Sequence, residues 1–172
     1  AEQMRLLAPK ATVRDERAWR ISEYEKLIAY MDNSHWEVLQ KAKVYPKVVY
    51  YICQLIAQKE ASEEELRHGL ELCHTAIELL RDSRRLYYFI ELTEIRKILA
   101  EKFLLCDLSS SERTKIQEML TENETWEKVF KELYAEYDIA PYMSNFCYLY
   151  YETECHNMAE VIEIRRKMFN LS

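Results

Sequence analysis

The sequence holds 172 residues, with 24 Lys and Arg against 30 Asp and Glu for a formal charge of −6, and 49% of it is hydrophobic. Such a composition supports a packed core rather than disorder, and the acidic balance argues against this segment gripping nucleic acid by itself. There is one glycine, Gly69, and three prolines, Pro9, Pro46 and Pro141. The Rossmann, Walker A and nucleophile-elbow motifs each need several glycines, so the α/β enzymes built on them are excluded and turn-rich all-β folds are disfavoured. The expectation is an all-α protein with short connections.

No run approaches the ~20 apolar residues of a membrane span, and Ala1–Lys10 lacks the pattern of a signal peptide. The reading is a cytoplasmic protein. The sequence starts at Ala1 rather than Met, which suggests a trimmed chain or an internal segment. Cys53, Cys73, Cys106, Cys147 and Cys155 form no C-x-x-C pair, so they are expected to be reduced and mostly buried thiols.

Val13, Arg17, Ile21, Tyr24, Leu27, Ile28 and Met31 share one helical stripe, which predicts a first helix over 12–31. Asp32-Asn33-Ser34 supplies a turn and an N-cap for a second helix carrying Trp36, Leu39 and Ala42. Pro46 is expected to end that helix and to open a third, Lys47–Lys59. Ser62-x-x-Glu65 is a capping box for a fourth helix, with Leu66, Gly69, Leu70, Cys73, Ala76, Ile77 and Leu80 on its apolar face. Glycine inside a helix costs ~1 kcal/mol against Ala, so Gly69 is expected to mark a close helix–helix approach.

A fifth helix is predicted over 85–105 and is apolar over a wide arc: Leu86, Tyr88, Phe89, Leu92, Ile95, Leu99 and Phe103. That width predicts burial between neighbours. Ser109-x-x-Glu112 is a second capping box, opening an acidic segment from Glu112 to Asp138. Thr121–Thr125 leaves open whether this segment is one helix or two. Pro141 opens a short aromatic helix, Tyr142–Glu154, and Asn157 caps a last helix.

The count is about eight helices, mostly in adjacent pairs. Val49-Tyr50-Tyr51-Ile52, Leu86-Tyr87-Tyr88-Phe89 and Leu149-Tyr150-Tyr151 form a weak internal echo without a fixed period. Read as repeats, they give antiparallel helical hairpins in a right-handed array of the tetratricopeptide size class; read as chance in a chain of 13 tyrosines, they mean nothing. The strict W-x₂-L-G-x₂-Y signature is absent, so the array is TPR-like only.

Glu65-x-x-His68 and Glu71-x-x-His74 have the E-x-x-H spacing of di-iron bundles, yet both lie on one helix, and their histidines point ~120° apart. They are read as a charged surface. Cys73-His74 and Cys155-His156 are adjacent pairs that do not face each other. No catalytic set, metal site or cofactor is expected, and the chain is read as a non-enzyme. Arg81–Lys102 carries six basic and four acidic residues, a basic stretch in an acidic chain. Interleaved Arg and Tyr there suit a carboxylate or a peptide backbone, so Arg84, Arg85, Tyr87 and Tyr88 are the candidate ligand residues, joined by Asn145 and Tyr148 on the short aromatic helix. The plainer reading has the arginines compensating a helix C-terminus and the tyrosines packing their rings.

The C-terminus runs Met158-Ala159-Glu160-Val161-Ile162-Glu163-Ile164-Arg165-Arg166-Lys167-Met168-Phe169-Asn170-Leu171-Ser172. It resembles the opening helix of XRE-type helix-turn-helix domains, I-G-x-x-I-R-x-x-R-x-x-x-G-L-[ST]-Q. Met158 and Ile162 take the apolar positions, and Arg166 the internal arginine. Leu171-Ser172 match the end, with Asn170 for the glycine, Asn being the next-best residue at a left-handed C′ position. Ala159 and Glu163 depart from the pattern, and the likeness covers 15 residues. A closing amphipathic helix explains the same periodicity.

Taken with the helical array, the chain resembles XRE-family regulators of the Rgg/PlcR-like group. The resemblance implies residues 1–157 as a TPR-like regulatory domain, and 158–172 as the start of a truncated DNA-binding domain containing Arg165, Arg166, Asn170, Leu171 and Ser172. It further implies a bacterial, noncatalytic sensor and dimerisation module. That module would bind a signalling peptide on a concave face, with DNA read only through a domain outside this segment and a homodimer as the assembly. The C-terminal position departs from the usual N-terminal one in that group. The alternative is a standalone scaffold for a partner protein with no DNA link. The sequence that follows Ser172 separates the two.

Overall fold

Local signals start two of the helices. The Ser62 hydroxyl accepts from the Glu65 N–H at 3.2 Å while the Glu65 carboxylate accepts from the Ser62 N–H at 3.3 Å, the reciprocal capping box. Ser109 likewise accepts from the Glu112 N–H at 3.2 Å. Here the Glu112 carboxylate accepts instead from Arg67 Nε at 2.9 Å, joining two helices. The computed structural model describes residues 13–58, 60–83 and 88–137. They form α1 (Val13–Asn33), α2 (Val38–Ala57), α3 (Glu63–Ser83), α4 (Phe89–Phe103) and α5 (Ser110–Tyr137), with no strand among the described residues. The all-α reading holds. The helices expected over 142–154 and 158–172 lie outside the described residues.

Pro46 does not separate two helices. It is buried inside a continuous α2. Its missing N–H and its ring cost about 3 kcal/mol in a helix interior. Tyr45, Val48, Val49, Ile52, Cys53 and Ile56 on the same helix are each at most 5% exposed. At about 1.5–3 kcal/mol per large buried side chain, that burial outweighs the proline. Ser34 is not the N-cap either. α1 runs on through Asn33, and α2 starts at Val38 behind Glu37, which makes no side-chain cap. Thr121–Thr125 does not break α5. The Thr121 and Thr125 hydroxyls donate to the carbonyls of Gln117 and Thr121, each at 3.1 Å, while Ile116, Asn123 and Trp126 hold one buried face.

Cross-helix contacts fix the direction of each neighbour. Cys53 meets Cys73 while Ile56 meets Gly69, so α2 and α3 run antiparallel. Tyr24 meets Tyr51 while Arg17 meets Gln58, which makes α1 antiparallel to α2. Phe89 meets Trp126 while Arg113 reaches Leu104, which does the same for α4 and α5. α2 and α4 are parallel neighbours, with Tyr50 by Tyr88 and Ala57 by Lys102. α2, α3 and α4 pack on one another, α1 lies on α2, and α5 lies on α4. α4 is therefore covered on two sides, which accounts for its wide buried arc.

Distant cations close the helix ends. α2 carries no basic residue in its last turn. Its terminal carbonyls are met by Lys102 Nζ from α4 at Ala57 and by Arg17 NH1 from α1 at Gln58, the latter at 3.1 Å. After α4, Arg113 donates to the carbonyls of Leu104 and Cys106.

The α4–α5 seam is held by a buried charge. Arg96 is 2% exposed. Its Nε donates to Asn123 Oδ1 at 2.9 Å, its NH2 reaches Glu122 Oε1 at 3.2 Å, and its guanidinium stands 5.0 Å over the Trp126 ring. Asn123 Nδ2 in turn donates to the Thr93 carbonyl at 2.9 Å. Burial pulls the Arg96 pKa below its ordinary value, and Glu122 opposes that pull. Removing a partner from a buried charge costs several kcal/mol, whereas an exposed ion pair contributes ~1 kcal/mol or less. Asn123→Ala is therefore expected to lower stability in urea unfolding by about 3 kcal/mol. Glu122→Ala, at a side chain 45% exposed, should lose less than about 1 kcal/mol. Equal losses would contradict the assignment of Asn123 as the main partner.

Candidate functional site

α4 starts in an unusual way. Its N-cap is Tyr88, with φ 62° and ψ 6°, and no side chain caps the helix there. Tyr88 is the sole non-glycine residue with positive φ among those described. A left-handed L-residue costs ~1–2 kcal/mol, and a bulky ring there is a genuine outlier. The carbonyl of Tyr88 still accepts the first helical bond, from the Leu92 N–H at 2.9 Å.

What holds this geometry is a tyrosine cluster. The Tyr88 ring lies 5.4 Å from Tyr50 and 6.4 Å from Tyr51, the second contact edge-on at 79°. Its hydroxyl stands 3.5 Å from that of Tyr51. Tyr51 also contacts Tyr50 at 6.1 Å and Tyr24 at 5.9 Å. Lys47 Nζ lies 5.9 Å over the Tyr51 ring, and Gln54 Nε2 donates to the Tyr50 hydroxyl at 2.8 Å. Such ring pairs contribute about 0.5–1.5 kcal/mol each beyond the burial of their area. Several together offset the backbone strain. Tyr88 itself is 8% exposed, while Tyr24, Tyr50 and Tyr51 are half-buried and leave ring surface open.

The cluster draws on α1, α2 and the start of α4, and it has an acidic flank. Burial raises the Tyr50 pKa, helped by the negative charges of Glu91 and Glu94 and by Tyr51. Burial also raises the Glu94 carboxyl, with Glu127 adding to it. Tyr50 therefore stays protonated well above neutral pH. The site offers ring faces, hydroxyl donors and acceptors, and one ammonium group. Those are recognition chemistries.

Of the six residues expected to bind a ligand, Tyr88 is the one the structure describes. Arg84, Arg85, Tyr87, Asn145 and Tyr148 lie outside the described residues, as do Arg165, Arg166, Asn170, Leu171 and Ser172. Tyr88 is packed under other rings, so Tyr24, Tyr50 and Tyr51 present most of the accessible surface. The signal for two of these was the echoed Tyr-Tyr pair: Tyr51 and Tyr88, in the first two copies, touch across the fold. Nothing comparable marks Tyr24, which the helical stripe of α1 brings alongside.

The E-x-x-H pairs go elsewhere. Glu65 serves the α3 cap, and His68 Nε2 stands 2.6 Å from Glu25 Oε1 on α1. His74 is exposed. Among the described residues no group of three or more metal-ligating side chains is assembled. A shallow opening of about 200 Å³ lies between Glu16, Arg17, Arg20, Leu55 and Gln58. Its charges are engaged, Arg20 with Glu16 at 3.0 Å and Arg17 with the Gln58 carbonyl. Among the described residues no helix is long and apolar enough to cross a membrane.

The cluster makes a prediction about Tyr88. Tyr88→Phe keeps the rings and should change stability by less than about 1 kcal/mol. Tyr88→Ala keeps the left-handed backbone but removes its support, and should lose about 3 kcal/mol in urea unfolding. Equal effects would mean that the rings do not hold the turn.

The chain matches no family model, no curated protein and no solved structure.

Proposed function

We propose that this chain is a noncatalytic, TPR-like ligand-sensing and dimerisation module that takes a peptide against the tyrosine cluster, as the regulatory part of a bacterial helix-turn-helix transcription factor. The carrying observation is Tyr88, a strained left-handed residue held against the rings of Tyr50 and Tyr51. Backbone strain of this size persists where the surroundings over-determine it, and such positions cluster at ligand clamps and switches. Arg84 and Arg85 stand four and three residues before it in sequence and would supply the cations that a peptide carboxylate requires. Ligand binding at the α4 N-terminus would bias the packing of α4 against α2, a population shift between two arrangements of the hairpins. The link to a DNA-reading domain rests on residues 158–172, outside the described part, and dimerisation rests on the same resemblance.

A second reading, a scaffold for a partner protein without a DNA link, is favoured by Leu105. It is 88% exposed in the α4–α5 connection, and Ile98 of α4 is exposed as well. Exposed apolar groups of this kind are common on their own, so the tyrosine cluster takes precedence.

The test is panning of a displayed random heptapeptide library with free C-terminal carboxylates on the full chain. Enriched peptides are expected to bind the chain and to lose at least tenfold in affinity on Arg84→Ala and Arg85→Ala. Peptides that bind those variants and Tyr50→Ala unchanged would reject this site, and no enrichment over an unrelated helical protein would reject the peptide-sensor reading.

A further inference from the structure

Two buried thiols meet in the core, and the proposed ligand site makes no use of them. Cys53 comes from α2 and Cys73 from α3, on antiparallel neighbours. Their sulfurs stand 3.4 Å apart, and both side chains are 0% exposed. Cys53 Sγ also lies 3.5 Å from the Gly69 carbonyl oxygen. The disulfide bond length is about 2.05 Å, so the two sulfurs, 3.4 Å apart, need to close by roughly 1.4 Å. Gly69, one turn along α3, leaves space beside Cys53 that any larger residue would fill: a Cβ there would sit 3.8 Å from that sulfur.

We infer that Cys53 and Cys73 are a modification site, a dithiol that a peroxide converts to an internal disulfide pinning α2 to α3. The balance is two thiols and one hydrogen peroxide giving one disulfide and two waters. The Cys73 sulfur, as thiolate, attacks one peroxide oxygen. The O–O bond breaks, the departing hydroxide takes a proton and leaves as water, and Cys73 becomes a sulfenic acid. The Cys53 sulfur then gives up its proton and attacks the Cys73 sulfur. The S–O bond breaks, the S–S bond forms, and the second water leaves. The sulfurs lose two electrons in total and the peroxide gains them.

Burial controls the rate. The hydrogen bond with Cys73 and the removal from water push the Cys53 thiol up. The pair is therefore slow to react with exposed-thiol reagents, and oxidation waits on brief opening of the α2–α3 hairpin. Cys106, which is partly exposed, is an internal reference for a thiol within reach of solvent. Once formed, the cross-link closes a loop between residues 20 apart in sequence and constrains the unfolded chain.

The experiment treats the full chain with millimolar hydrogen peroxide, blocks remaining thiols, and maps tryptic peptides without reduction. The expected result is a peptide joining 48–59 to 68–81, each half carrying one cysteine, with a mass about 2 Da below the sum of its parts. The melting temperature should rise by roughly 5 °C or more and return on reduction. Cys53→Ala and Cys73→Ala, checked for retained helicity, should each abolish both changes. Full oxidation of Cys106 without the 48–59 to 68–81 link would overturn the inference, as would a linked chain whose melting temperature does not move.

Discussion

The close approach of three helices at Gly69 is the constraint on which the rest of this structure depends. A Cβ built on Gly69 would lie 3.0 Å from Leu99 Cδ1 on α4, 3.4 Å from Ile56 Cδ1 on α2 and 3.8 Å from the Cys53 sulfur. A side chain on α3 at that level would press on Leu99 and oblige it to give by a few tenths of an ångström. Glycine in a helix interior costs ~1 kcal/mol, and the tight contact recovers it through burial of Ile52, Ile56, Leu70, Leu99 and Phe103, all at most 4% exposed. The same approach brings Cys53 and Cys73 into contact. It also sets α2 beside α4 as parallel neighbours, and that arrangement puts Tyr50 and Tyr51 over Tyr88.

The start and the middle of α4 carry different chemistry. At its start the aromatic cluster supports a strained turn. Along its outer side Arg96 spends its hydrogen bonds on α5, where Asn123 and Trp126 receive it. A buried guanidinium is a poor device for stability but a demanding one for register, because one turn of slippage would leave the charge without Asn123. The position of α5 is therefore specified by polar geometry, while that of α3 is specified by shape. The proposed ligand site lies at the start of α4, the opposite end of that helix from its connection to α5, against α2.

Much of this was legible in the residues. The capping serines, the stripe of α3 and the close-approach role of Gly69 follow from local rules of spacing and backbone chemistry. Pro46 misled because local rules price a proline at ~3 kcal/mol without the six buried neighbours that oppose it. Ser34 misled because a good capping residue does not compel a helix to start beside it. The second capping box was half realised, since Glu112 found a better partner in Arg67, 45 residues away. For the site, the first two Tyr-Tyr pairs contribute rings that touch, Tyr51 and Tyr88, a contact that their reading as repeats did not foresee. The left-handed backbone of Tyr88 did not show, because a tyrosine gives no sign of positive φ. Long-range polar contacts such as His68 with Glu25 have no sequence signature at all.

The most direct test of the three-helix junction is a double-mutant cycle of Gly69→Ala and Leu99→Val measured by urea unfolding. If the close approach governs the core, Gly69→Ala should cost about 1 kcal/mol or more in the native background. That cost should shrink by about 1 kcal/mol once Leu99→Val has removed a methylene from the crowded side. A gain of about 1 kcal/mol from Gly69→Ala in both backgrounds, the value of helix propensity alone, would contradict it.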